Sequence, residues 1–265
     1  MEWAWLSGVF TDLKTWFNGA GWLSNAITIG APLLALGALG RRLYRKIFGL
    51  STFSELIKIR LVSTWTPTRL KALAEIAIVD DNPADFPVAE LRKAGYHIKT
   101  YKHVSLTELD ELAAYDVVFL DIHGIVKDDV EQGGLKVLAK LRAVNPRQKI
   151  CAVSSKQFDP TASTFFRQAD DVRRKPMTAQ QCQDIIDVLA NEKLDPEPLA
   201  NALDQATASL YNHTRRELVK QIAAFTQAHG AEEEFTPSAD LAVTLGHNFD
   251  LMIKDMVRLL RHGHS

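Results

Sequence analysis

The sequence predicts an α/β fold: five parallel strands in a doubly wound sheet, flanked by an N-terminal membrane helix and a C-terminal α-helical hairpin. Three observations predict it. Short apolar runs end abruptly in polar groups: Ile76-Ala77-Ile78-Val79 before Asp80-Asp81, Val117-Val118-Phe119-Leu120 before Asp121, and Ile150-Cys151-Ala152-Val153 before Ser154-Ser155. Val172-Arg173-Arg174 adds a shorter run before Lys175-Pro176. Helical patterns separate these runs, and such alternation gives a parallel sheet with helices on both faces. Finally, residues 22–39 carry no charge at all, which sets the N-terminal region apart from the rest.

Open α/β sheets place their chemistry outside the carboxyl ends of the strands. Asp80, Asp81, Asp121, Ser154 and Lys175 all stand at such ends, so three carboxylates, a hydroxyl and an ammonium should share one pocket. Carboxylates that close raise each other's pKa unless a cation is present. Mg²⁺ suits the role because it takes oxygen ligands and keeps several of its own waters. One carboxylate is then free to attack a phosphorus, with cation, ammonium and hydroxyl offsetting the charge on the transferred group.

This order of residues resembles the receiver domain of two-component response regulators, a CheY-like, flavodoxin-like fold. The resemblance spans roughly residues 71–189, about 115 residues on the scale of a single domain. It is carried by Val79-Asp80-Asp81-Asn82, Leu120-Asp121, Ser154 after a strand, and Ala169-Asp170-Asp171-Val172-Arg173-Arg174-Lys175-Pro176. It implies that Asp121 is the phosphoacceptor and that Mg²⁺ is held by Asp80, Asp81, Asp121 and the backbone carbonyl of His123. It also implies that Ser154 and Lys175 contact the phosphoryl group and that a histidine kinase or other phosphodonor is a partner. Self-catalysed phosphoryl transfer is the only chemistry it implies, so the chain is not expected to be a metabolic enzyme.

The sequence departs from that pattern in three places. Asp121 and Gly134 are 13 positions apart, a long loop without the usual Met-Pro. Val172 stands where an aromatic switch residue is common, and serine replaces threonine, with Ser154 and Ser155 both open as the reporter. A degenerate pseudo-receiver, serving as a membrane-tethered interaction scaffold without phosphorylation, is the alternative these departures favour.

Across 265 residues the net charge is −1, so nothing in the overall balance points to nucleic acid. Cys151 and Cys182 lack metal or disulfide spacing and fit a reducing compartment. Residues 1–20 carry Trp3, Trp5, Trp16 and other apolar groups at helical spacing, which suits an interfacial helix at a headgroup boundary. Residues 21–40 contain the uncharged run and are expected to be a transmembrane anchor. Between residues 41 and 71 stand eight Lys or Arg and only Glu55 as an acid, about +7 by count. That excess keeps the segment cytoplasmic and close to anionic lipid. Localisation is therefore expected at the cell inner membrane, single-pass, with the rest of the chain in the cytoplasm. Residues 41–70 read as a basic juxtamembrane connector.

Residues 71–192 then hold the receiver frame. Pro87 opens a short helix ended by Gly95, and residues 96–101 alternate as a strand. Ser105-Leu106-Thr107-Glu108 has capping-box spacing for a helix through Leu109 and Leu112. His123 reads as a solvent-facing loop histidine. The insertion at 126–134, with Asp128, Asp129 and Glu131, reads as a solvated acidic loop. Leu135, Val137, Leu138 and Leu141 describe a third helix, and Thr178 caps the last.

Residues 193–265 read as two amphipathic helices. Leu199, Leu203, Ala206, Leu210, Leu218, Ile222 and Phe225 mark the first stripe, and His229-Gly230 ends it. Thr236-Pro237 starts the second, with Leu241, Leu245, Phe249, Met252, Met256 and Leu259. The hairpin is expected to pack on the receiver or to form a homo-oligomer as a four-helix bundle. A self-assembling effector acting on the membrane or a partner is a third reading. From Lys193 onward seven Lys or Arg face ten acids, which argues against nucleic acid as a partner. His213 reads as a surface histidine rather than a phosphotransfer group.

Overall fold

Continuous apolar runs with polar ends are what a strand covered on both faces requires, and the computed structural model places three such strands at the centre of one sheet. It describes residues 50–61, 67–107, 109–155, 166–228, 234–237 and 244–262. Strand β1 is Glu75–Val79, β2 His97–Tyr101, β3 Val117–Asp121, β4 Lys149–Ser154 and β5 Asp171–Arg174, all parallel in the order β2-β1-β3-β4-β5. That is the flavodoxin-like order, whose ligand crevice lies where β1 and β3 diverge in connection. All five residues of β3 are buried, as are the last four of β1 and the last five of β4. Edge strands β2 and β5 are only partly covered.

Successive side chains of a strand point to opposite faces, so each central strand feeds two cores. Ala77, Val79, Val118, Leu120, Ile150 and Ala152 pack with Val137, Leu138 and Leu141 of α5, which runs Gly133–Val144. The other parity meets α3 (Val88–Lys93) and α6 (Ala179–Leu194). Thr178 caps α6 with the full capping box, its side chain on the Gln181 amide and Gln181 on its own. Each fully buried Leu, Ile or Val side chain adds about 1.5–3 kcal/mol relative to exposure. Cys151 and Cys182 are buried free thiols in these layers, and burial pushes the Cys182 thiol up to about 11.

The helix between β2 and β3 is shorter than its sequence pattern suggests. α4 covers only Asp110–Ala113, residues 106–107 form a turn in which Ser105 Oγ accepts from the Thr107 amide at 3.2 Å, and Glu108 lies outside the described residues. Ser and Thr side chains compete with helical backbone bonding in this way.

A helical layer covers the opposite end of the sheet from the strand carboxyl ends. It comprises α1 (Phe53–Arg60), α2 (Pro67–Leu73), α7 (Pro196–Ala206), α8 (Asn212–Ala228) and α9 (His247–His262). The first helix of the expected hairpin is corrected to two, α7 and α8: its stripe breaks after Ala206. Thr207 Oγ1 turns back onto the Leu203 carbonyl at 2.7 Å, and the Leu210 amide closes a turn on Thr207 at 3.1 Å. Of the expected second helix, α9 covers His247–His262 and residues 244–245 are also helical, while 238–243, directly after Thr236-Pro237, lie outside the described residues. The buried side chains of α9, Phe249, Met252, Ile253, Met256, Val257, Leu259 and Leu260 among them, form one broad face, with His247, Lys254 and His262 exposed on the other. α7, α8 and α2 cover them, so this stripe is satisfied within the chain.

α1 belongs to the same layer. The Asp204 carboxylate of α7 accepts from the amides of Phe53 (2.8 Å) and Ser54 (3.1 Å), donors that a helix N-terminus leaves without partners. Phe53 and Leu56 are fully buried beneath it. An ionic chain joins this layer to the sheet. Asp116, fully buried just before β3, accepts from the Glu75 amide at 2.9 Å and from Arg258 at 2.6 Å. Arg258 also meets Asp255 at 3.2 Å, and Asp255 bonds buried Lys193 at the end of α6. Burial alone would lower the Arg258 pKa, but Asp116 and Asp255 hold it above its ordinary value.

Among the described residues no helix is long and apolar enough to cross a membrane. The expected interfacial helix at 1–20 and anchor at 21–40 lie outside the described residues.

Candidate functional site

Strand register alone brings the predicted residues level. Val79 pairs with Leu120, so Asp80 and Asp121 stand side by side where β1 and β3 end. Asp121 pairs with Val153, so Ser154 is one residue further along, and Ser154 pairs with Arg174, the neighbour of Lys175. Ser154 is buried while Ser155 is exposed, so of the two serines only Ser154 sits inside the strand edge.

Lys175 is the centre of the arrangement. Its Nζ donates to Asp80 Oδ2 and to Asp121 Oδ2, each at 2.6 Å, and the lysine is 7% exposed. Asp80 is fully buried, and its other oxygen accepts from the Asn82 amide at 2.8 Å. Asp121 Oδ1 accepts from the Ile122 amide at 2.7 Å. Burial raises the Asp80 pKa above its ordinary value, against the pull of Lys175 and the Asn82 amide. For Lys175, burial acts downward but the hydrogen bonds to Asp121 and Asp80 outweigh it, and the ammonium stands above its ordinary value. The pair is therefore a charged bridge between two strand ends.

Asp81 is exposed and completes a trio: one oxygen from each of Asp80, Asp81 and Asp121 lies within 4.8 Å of the others. A buried carboxylate with a raised pKa beside two more is the donor set a hard divalent cation takes. The residues present therefore fit Mg²⁺. His123 is half-buried on the turn after β3.

The loop after β3 has a buried start and then a solvent-exposed acidic stretch, as its composition suggests: from 127 to 132 every residue is exposed except half-buried Asp129. Ile122, Ile125 and Val126 are buried in the core that α5 covers. Asp129 accepts from the Gln132 amide at 3.0 Å and pairs with Lys136, which lowers its pKa; Asp128 and Glu131 are exposed. The Gly124 amide bonds the Val130 carbonyl at 3.0 Å, and the Val104 amide bonds Ile125 at 2.8 Å. Acids were countable in the sequence; the apolar residues beneath them decide the loop's packing.

Gly124 has φ +76, and a Cβ there would lie 2.5 Å from Asp81 Oδ2. Gly124→Ala should therefore displace the Asp81 carboxylate and strain the backbone, since only glycine enters that region freely. We expect weaker Mg²⁺ binding, by about three- to ten-fold if roughly 1 kcal/mol is lost, with a stability cost of about 1 kcal/mol. Magnesium titration of both proteins by calorimetry checks it.

Asp85 was not singled out by the sequence. It ends a one-turn helix, Pro83–Asp85, directly after the acidic pair, and its Oδ2 stands 3.8 Å from Lys175 Nζ. The Pro after Asn82 is the signal that would have turned this acid back toward the pocket.

No family model matches the chain, and no curated protein matches it. Solved structures that it resembles include a CheY-like response regulator receiver domain protein from Methanospirillum hungatei JF-1, 22% identical, covering 46% of this chain and 96% of that one, TM-score 0.38. A two-component response regulator from Clostridium difficile is 19% identical over 44% of this chain and 94% of that one, TM-score 0.35. The receiver domain of NtrX from Brucella abortus is 23% identical over 44% and 98%, TM-score 0.36.

Proposed function

We propose that this chain is a response-regulator-like signalling protein in which Asp121 accepts a phosphoryl group. The observation that carries the reading is the Lys175 ammonium bonded at 2.6 Å to both Asp80 and Asp121 inside a buried strand edge. A lysine held beside Asp121 would stand close to where negative charge grows during transfer, which is how a preorganised site lowers a barrier.

In the proposed reaction an Asp121 carboxylate oxygen attacks the phosphorus of the donor. The bond from phosphorus to the donor's nitrogen or oxygen breaks, and the leaving group keeps the electron pair. Asp121 becomes an acyl phosphate. Asp80, Asp81 and Asp121 would hold Mg²⁺, which when bound neutralises charge on the phosphoryl oxygens. Lys175 and Ser154 would then contact the transferred group. The added charge draws Lys175 away from Asp80. α6 begins four residues after Lys175 and ends with Lys193 on Asp255 of α9, so a packed route leads from the pocket to the C-terminal helix.

The partner in this reading is a histidine kinase or other phosphodonor. Residues 1–40 would tether the protein to the inner membrane, with the basic stretch after them on the cytoplasmic side, as their apolar and charge patterns suggest. The test is intact mass of the full chain after acetyl phosphate with Mg²⁺. One phosphoryl mass is expected, and none in Asp121→Asn or with chelator. No gain in the unaltered chain would leave a non-cycling scaffold as the better account.

A further inference from the structure

Lys175 faces a third carboxylate that the phosphoacceptor chemistry does not require. Asp85 Oδ2 is 3.8 Å from Lys175 Nζ, and the Asp85 side chain is 28% exposed. The residue is fixed in place. Its Oδ1 accepts from Asn82 Nδ2 at 3.1 Å, its amide bonds the Asn82 carbonyl at 3.1 Å, and its carbonyl accepts from the Met177 amide at 3.0 Å. It thus ties the turn after β1 to the turn after β5, beside the ammonium.

The charges of the pocket close without it. A divalent cation and one ammonium would balance Asp80, Asp81 and Asp121, and Asp85 is not among the three carboxylates that come together. Its charge is an excess that both competes for Lys175 and repels an anionic donor, because like charges nearby disfavour each other. At this spacing and partial exposure the effect is real but screened by salt.

We infer that Asp85 is a positioning residue that acts through Lys175 to restrain phosphoryl uptake at Asp121. It deepens the reading above and rests on it. The restrained step is the same transfer: Asp121 oxygen bonds phosphorus, and acetate leaves acetyl phosphate with the electron pair.

The experiment compares the full chain with Asp85→Asn and Asp85→Glu, using acetyl phosphate and Mg²⁺ at low and at high salt, with the rate of mass gain as readout. Asn can still accept from Asn82, and the backbone bond to Met177 is untouched, so this variant removes charge alone. The expected result is uptake faster by about three- to ten-fold in Asp85→Asn, a gap that narrows in high salt, with Asp85→Glu near the unaltered rate. A structural role would slow Asp85→Asn and would not follow salt. Equal rates in the unaltered chain and Asp85→Asn would overturn the inference and leave Asp121 as acceptor. No mass gain in the unaltered chain would overturn both.

Discussion

Arg258→Met should destabilise the folded chain by about 3 kcal/mol, because it strips the cation from a carboxylate that has no exposure to water. Asp116 is fully buried, and Arg258 is its ionic partner at 2.6 Å, with 23% of the arginine side chain exposed. The Glu75 amide still bonds Asp116, which keeps the loss near the lower end of what breaking a buried pair costs. For a unit of this size the midpoint of thermal unfolding should fall by roughly 6–12 °C. The control is the double variant Asp116→Asn with Arg258→Met. It should recover much of the loss, because removing both charges leaves nothing uncompensated, whereas independent effects would add. Calorimetry on all four members of the cycle checks this. A single Arg258→Met within 1 kcal/mol of the unaltered chain would show that the ionic chain does not hold the helical layer to the sheet, the threshold being about the scale of an ordinary surface change.

Lys175→Met should cost a similar amount, about 3 kcal/mol at neutral pH without divalent cations, since it leaves Asp80 and Asp121 facing each other in a buried edge. Mg²⁺ should return part of that stability by binding the folded form only. The loss also carries a pH signature. Burial already sets the Asp80 pKa above its ordinary value of 3.8, and losing the ammonium should raise it further. A group whose pKa is raised on folding stabilises the fold in its protonated form. That contribution is full below the unfolded value and is lost as pH rises through the folded one. The variant should therefore lie closest to the unaltered chain in acid and furthest from it near neutrality. Denaturant unfolding across that range, with and without Mg²⁺, reads both effects. A constant gap at every pH would mean that packing of the lysine stem, not charge, is what the substitution removes.

These two residues also mark what the sequence could and could not convey. Lys175 was legible because it follows a short strand and precedes a proline, and because three other strand ends carry acids or serine in order. The same reasoning placed β1, β3 and β4, whose apolar runs are long enough to need cover on both faces. Arg258 was not legible, because its partner Asp116 lies 142 positions away. The only local sign was an acid set immediately before an apolar strand. The break between α7 and α8 was hidden for another reason. Leu210 continues the apolar spacing, no Gly or Pro interrupts it, and a threonine hydroxyl does the work. α1 carries a local start signal, Thr52 accepting from the Glu55 amide three residues on, whereas its second cap, Asp204 from another helix, leaves no local sign. A fragment beginning at residue 71 would remove that helix and expose the α7 face it covers.

In the loop between β3 and α5, composition conveys the exposed acidic stretch and not the packing of the residues before it. Its acids are conspicuous, yet Ile122, Ile125 and Val126 hold it down against the sheet. Asp85 carries no strand-end signal, because it lies on the one-turn helix that follows β1.

The measurement that most directly tests Asp121 as acceptor is chemical trapping. The full chain is treated with acetyl phosphate and Mg²⁺, reduced with borohydride, digested and mapped by mass. Borohydride reduces an acyl phosphate to an alcohol, which would convert the Asp121 side chain to that of homoserine. The account predicts that mark at position 121, dependent on Mg²⁺, and nowhere else along the strand edge. A mark at another carboxylate, or none while a known phosphoacceptor beside it is trapped, would contradict it.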